Sequence, residues 1–67
     1  MRSEALLATI NHCIEILELE NEIMRTNPRT GETVPPYKLN DINRECYHAH
    51  IDAIKCLKLY REVLEHQ

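Results

Sequence analysis

The chain contains no phenylalanine and no tryptophan, and it has one glycine in 67 residues. A core must therefore be filled by leucine, isoleucine and the three tyrosines. No apolar run approaches the roughly 18 residues that indicate a membrane span. The one glycine and the three prolines all lie between residues 28 and 36, so neither flanking segment contains a residue that interrupts a helix. These absences argue against a transmembrane segment and favour long helices.

The three cysteines are an odd number, so they cannot all pair within one chain. Glu4, His12, Glu15 and Glu18 interrupt any apolar core in residues 1–20, so this segment does not resemble a secretion signal. We therefore expect free thiols and a cytoplasmic protein. The net charge of −3 makes nucleic acid an unexpected partner, because binding to phosphates depends on lysine and arginine.

A chain of this length allows one domain, over residues 1–67, and buries too little surface to be secure alone. Small scaffolds usually need disulfides, a metal ion or oligomerisation. Because the thiols are expected to be free, oligomerisation is the favoured means of stabilising the folded chain. No cofactor is expected.

Residues 3–25 are predicted to form the first helix, with Ser3 as its N-cap and Glu4 in its first turn. Five apolar positions and one asparagine alternate spacings of three and four, as on a helix that faces another helix. These positions are Leu7, Ile10, Ile14, Leu17, Asn21 and Met24.

Residues 26–39 are predicted to form a loop that contains Gly31 and Pro35-Pro36, and residues 41–65 a second helix capped by Asn40 or Asp41. The predicted seam of the second helix is Cys46, His50, Ala53, Leu57, Tyr60 and Leu64, widened by Ile54, Cys56 and Val63. Because the two helices have similar lengths, the sequence predicts an all-α antiparallel hairpin. Asn21 is then expected near Cys46 and His50.

The first helix has a second apolar series nearly opposite the first, formed by His12, Ile16, Leu19 and Ile23. A helix that is apolar on two faces is normally buried on both. One neighbouring helix cannot cover both faces, so we predict self-association into a dimeric four-helix bundle or a higher oligomer through Ile16, Leu19 and Ile23. The alternative is that these are scattered exposed apolar residues, which are common.

Charge predicts the orientation of the two copies. The first helix concentrates glutamates at positions 15, 18, 20 and 22, whereas Lys55, Lys58 and Arg61 lie at the other end of a hairpin. A second hairpin that packs head to tail would bring these groups together twice. Exposed ion pairs contribute about 1 kcal/mol at most, so charge would select the orientation and burial would supply the stability.

Two pairs of residues have the spacing of metal ligands. Glu45 and His48 form Glu-x-x-His, which in ferritin-like bundles directs a carboxylate and an imidazole at one iron. They lie away from the predicted seam, which favours a solvated face. Cys46 and His50 could hold zinc together, but a structural zinc site needs four ligands. Cys13 and Cys56 are interpreted as small core residues. No catalytic arrangement is identifiable, so the chain is not expected to be an enzyme.

The predicted layout consists of two helices of this length, paired with a second copy into a bundle. In this layout the chain resembles the Rop family of plasmid-copy-number regulators. That resemblance implies the bundle fold and, as an alternative function, a nucleic-acid-binding regulator. Rop-type recognition uses a basic, amide-rich face of the first helix. Here no lysine or arginine lies between Arg2 and Arg25, so the resemblance supports the fold and argues against the activity.

The loop is the remaining candidate for a specific role. Pro-rich segments with an aromatic residue are suited to binding partner proteins, and this segment offers Arg29, Val34, Pro35, Pro36 and Tyr37. Alternatively, Val34, Tyr37 and Leu39 fold back to close the end of the bundle. The favoured function is that of a small non-enzymatic accessory protein that binds a larger protein. Short chains of this kind are typical of bacteria and phages. A ferritin-like metal bundle is the alternative.

Overall fold

In a computed structural model, which describes residues 2–66, two long helices pack against each other as an antiparallel hairpin. Helix α1 spans Arg2–Arg25 and helix α2 spans Asp41–Glu65, and a short 3₁₀ helix covers Pro36–Lys38. The molecule measures 44 × 20 × 14 Å, so it is a single layer of two helices. The all-α hairpin predicted from the sequence is confirmed.

The helix ends follow from local capping chemistry. Asn40 is the N-cap of α2, and its side chain accepts a hydrogen bond from the Asn43 backbone N–H at 2.8 Å. The predicted capping role of Ser3 is wrong, because α1 already includes Arg2 and Ser3 lies within the first turn. Other helix boundaries agree with the prediction.

The seam of α1 is the one predicted. Ile10, Ile14 and Asn21 are buried. Leu7, Leu17 and Met24 are half-buried beside them. Among residues 3–66, however, no side chain is completely shielded from solvent, because one helix covers only one side of its neighbour.

The seam of α2 differs from the prediction by a rotation of the helix. Cys46, Cys56, Tyr60 and Val63 are exposed, whereas Tyr47, Ile54 and Arg61 are half-buried with His50, Leu57 and Leu64. The observed seam places Arg61 where the prediction placed Tyr60. An arginine is accommodated there because its aliphatic stem packs in the seam while its charged end reaches a polar partner. The guanidinium Nη1 donates to Asn11 Oδ1 at 2.9 Å.

The connection between the helices is ordered by its own hydrogen bonds. Thr26 and Thr33 form an isolated antiparallel bridge, and the Val34 N–H donates to the Arg25 carbonyl at 2.9 Å. Gly31 has a φ of +74°, a left-handed conformation that favours glycine. These contacts close the tip of the loop into a compact turn and return the chain to the end of α1, which explains how a long connection can be accommodated.

Candidate functional site

A polar pair interrupts the apolar seam near its loop end. Asn21 is 7% exposed, and its side-chain Nδ2 lies 3.4 Å from the Tyr47 carbonyl, to which it donates. This contact orients the amide, so its Oδ1 faces His50 Nδ1 at 2.8 Å and accepts a hydrogen bond from it. The sequence prediction that Asn21 and His50 meet is confirmed.

The other ring nitrogen of His50 faces Glu20. The distance from His50 Nε2 to Glu20 Oε2 is 3.8 Å, and the carboxylate is about half exposed. With the Nδ1 proton held by Asn21, the two groups form an ion pair only when the ring also carries a proton on Nε2. The hydrogen bond between buried Asn21 and half-buried His50 therefore links the two helices, and Glu20 approaches the His50 ring from the solvent side.

The loop presents one aromatic side chain to solvent. Tyr37 is 72% exposed, whereas Leu39, two residues later, is buried. The backbone here is held by two arginines: Arg25 Nε donates to the Val34 carbonyl at 2.8 Å, and Arg44 Nη1 lies 3.4 Å from the Tyr37 carbonyl. Of the three residues predicted to fold back onto the helices, Leu39 is buried, Val34 is half-buried and Tyr37 is exposed.

The remaining loop residues predicted to bind a partner flank Tyr37 in the chain. Arg29 is exposed, and Val34, Pro35 and Pro36 are half-buried. Pro35 has extended backbone angles (φ −67°, ψ 154°) that lead into the 3₁₀ helix. Pro35 and Pro36 therefore restrict the backbone of this segment, while the side chain of Tyr37, which follows them, is accessible to solvent.

The second apolar series of α1 lies at the surface of the single chain. Ile16 is 41% exposed, Leu19 55% and Ile23 63%. Leu19 and Ile23 continue into the loop at Pro28, and together they line a shallow groove of about 420 Å³. Exposed apolar residues in a regular series are more informative than scattered ones, because contiguous apolar patches mark contact surfaces.

The basic residues of α2 do not all behave alike. Lys55 and Lys58 are exposed, but Arg61 is half-buried in the seam and bonded to Asn11 of the same chain. The glutamates at positions 15, 18, 20 and 22 are exposed along α1. Because Asn21 lies level with His50 and Asn11 level with Arg61, Lys55 and Lys58 lie level with the part of α1 that contains Glu15 and Glu18. The expected separation of opposite charges to the two ends of the hairpin is therefore wrong.

The predicted metal ligands are not brought together. Glu45 and His48 are both exposed, and the His48 ring meets the edge of Tyr47 at a centroid distance of 5.6 Å. Cys46 is exposed, while His50 is turned to Asn21 in the seam. Over residues 2–66 no three histidine, cysteine or acidic side chains form a group that could hold a metal ion.

The chain matches no protein-family model, and neither a curated protein nor a solved structure is detectably similar to it. No helix within residues 2–66 has the length and apolar character needed to cross a membrane. Function is therefore inferred from the chain's own surfaces.

Proposed function

We propose that the chain is a small non-enzymatic interaction protein that self-associates and binds a larger protein. The observation that supports self-association most strongly is surface area. The chain exposes 5373 Å², whereas a compact protein of 7.9 kDa exposes about 4400 Å². The excess of about 1000 Å² is close to the roughly 800 Å² that each partner buries in an interface of standard size.

The sequence of α1 favours a second copy of the chain as the partner that covers this apolar surface. The apolar series of Ile16, Leu19 and Ile23 runs along the helix for two turns, so it suits another helix better than a small ligand. Two hairpins in a four-helix bundle would cover apolar surface that one hairpin leaves exposed.

The loop is the surface that we assign to the larger protein. An exposed tyrosine on a segment stiffened by proline can bind with little loss of conformational freedom. The carbonyl contacts of Arg25 and Arg44 hold this segment in place without using the Tyr37 side chain. Arg29 lies near the tip of the same loop and would recognise an acidic group on the bound protein.

The proposed setting is the cytoplasm of a bacterium or of a phage-infected cell. The described cysteines are all free thiols, which is usual in a reducing compartment. A short accessory protein of this kind would act by occupying a surface of a larger assembly.

The test is a pull-down from the native cell with wild type and two loop variants. Tyr37→Ala should lose a protein that wild type retains, because the exposed ring is the proposed anchor. Glu32→Ala, in the same loop and also exposed, should retain it. Light scattering on each variant checks that self-association is unchanged. Equal retention of the same proteins by both variants would contradict the assignment of the loop.

A further inference from the structure

Helix α2 has a second apolar series that α1 does not cover. Its members follow one another at spacings of four, three, four, three and four, which is the period of a helix packed along another helix. The series, here called the α2 stripe, consists of Ile42, Cys46, Ala49, Ala53, Cys56 and Tyr60. All are exposed except Ala53, which is half-buried, and Ile42 is 75% exposed. The α2 stripe lies roughly a quarter-turn around the helix from the seam.

The α2 stripe is symmetric about residue 51. Its outermost members are large, its next members are both cysteine, and its innermost members are both alanine. A two-fold interface requires a surface that complements itself, so that each residue meets the symmetry mate of its counterpart. In an antiparallel helix pair centred on residue 51, every member of the stripe faces a member of matching size in this way.

We propose that α2 packs antiparallel on α2 of a second copy, with the two-fold axis beside residue 51. Cys46 then lies opposite Cys56 of the second copy, Ala49 opposite Ala53, and Ile42 opposite Tyr60. The four small side chains in the middle let the helices approach closely, and the large ones close each end. This contact rests on the proposed self-association, places α2 at its centre with Ile16 of α1 on the same side, and specifies its register.

The side of α1 next to the α2 stripe is compatible with this contact. Asn21 lies level with His50, and Asn11 lies level with Arg61. From the helical rotation, Cys13 and Ile16 lie on the same side of the hairpin as the stripe. A second hairpin placed there would therefore cover part of α1 as well, including half-buried Cys13.

Charge adds one opposing contact to this interface. Lys55 and Lys58 lie on the other side of α2 from the stripe, so they take no part in the contact. Asp52 lies at the edge of the stripe near the axis, where it approaches Asp52 of the second copy. Asp52→Asn should therefore strengthen the assembly about twofold to fivefold, most at low salt.

The register is tested by thiol cross-linking. Two variants, both with Cys13→Ser, keep only Cys46 or only Cys56. Because Cys46 of the two copies would be about 15 Å apart along the axis, neither variant alone should form a disulfide-linked dimer under mild oxidation by copper phenanthroline. The two variants produced together should form a mixed covalent dimer, since Cys46 of one faces Cys56 of the other. Cross-linking of either variant alone to the same extent would overturn the register.

A charge variant tests the face independently of oxidation. Ala49→Glu should weaken self-association roughly tenfold or more, because a carboxylate would be buried in the helix contact. Ala8→Glu, the same change at an exposed position of α1 outside the stripe, should leave the dimer intact. If light scattering reports a dimer but Ala49→Glu and the mixed cross-link behave like their controls, this interface is wrong and the proposed self-association stands. If wild type is monomeric, both are wrong.

Discussion

His50 Nδ1 lies 2.8 Å from Asn21 Oδ1, across the seam between the two helices. Buried polar groups cost little when they satisfy each other and a great deal when one partner is removed. His50→Leu should therefore lower the free energy of unfolding by about 1–3 kcal/mol, because it leaves the buried Asn21 oxygen without a donor. Denaturant titration followed by circular dichroism measures this change.

The double variant provides the control. Asn21→Leu with His50→Leu removes both polar groups, so its stability should return towards the wild-type value or exceed it. The difference between the double variant and the sum of the single variants gives the coupling energy of the pair. Independent, additive losses would show that the hydrogen bond does not contribute to the alignment of the helices.

The loop contains a buried and an exposed apolar residue two positions apart, and they should respond differently. Leu39→Ala should lower the free energy of unfolding by about 2–4 kcal/mol, because it leaves a cavity at the end of the hairpin. Tyr37→Ala should change it by less than about 0.5 kcal/mol, since the ring is 72% exposed. Thermal unfolding of the two variants, compared at equal protein concentration, measures the contrast. A large loss from Tyr37→Ala would mean that the ring is buried in the assembled protein.

Most of the hairpin could be predicted from the sequence because its signals are local. The bounds of α2, the cap at Asn40 and the α1 seam follow from capping chemistry and from one clear apolar series. The meeting of Asn21 and His50 followed from the antiparallel layout alone. The helix bounds, the cap and the seam depend on spacing within one segment, which is visible in the sequence, and the contact of Asn21 with His50 follows once two such helices run antiparallel.

The rotation of α2 was not predictable in the same way. Two apolar series run along this helix, one through Tyr47 and Ile54 and the other through Cys46 and Tyr60. Periodicity does not indicate which of them faces α1, because the choice depends on how the bulky residues of the two helices fit. Because Arg61 was classed as a polar residue, its position in the seam was not predicted from the sequence either. Similarly, composition alone did not separate buried Leu39 from exposed Tyr37.

Charge reversal tests whether the net charge of the chain affects the assembly. Changing Lys55 and Lys58 to glutamate should weaken self-association most at low salt, because the net charge of each copy changes from −3 to −7 and the copies repel each other more strongly. Changing Glu15 and Glu18 to lysine in the same chain should restore part of it. Sedimentation equilibrium at two salt concentrations measures both effects. Equal dimer affinity for all three proteins would show that these charges are only solvated.

Because Glu45 and His48 are exposed, we expect that these two residues do not hold a metal ion. Glu45→Ala with His48→Ala should change the melting temperature little, since neither side chain is buried. Protein purified without chelator should contain no stoichiometric iron or zinc by elemental analysis. One metal ion per chain or per dimer, lost in the double variant, would favour a metal-binding bundle instead.

The central claim is that one hairpin is half of the functional unit, and light scattering coupled to size-exclusion chromatography tests it most directly. At micromolar concentration we expect a mass of at least twice the 7.9 kDa of the chain. Ile16→Asp should reduce the mass to that of one chain or unfold the protein, because a charge would enter an apolar contact. A wild-type chain that is monomeric and fully helical at this concentration would contradict the account.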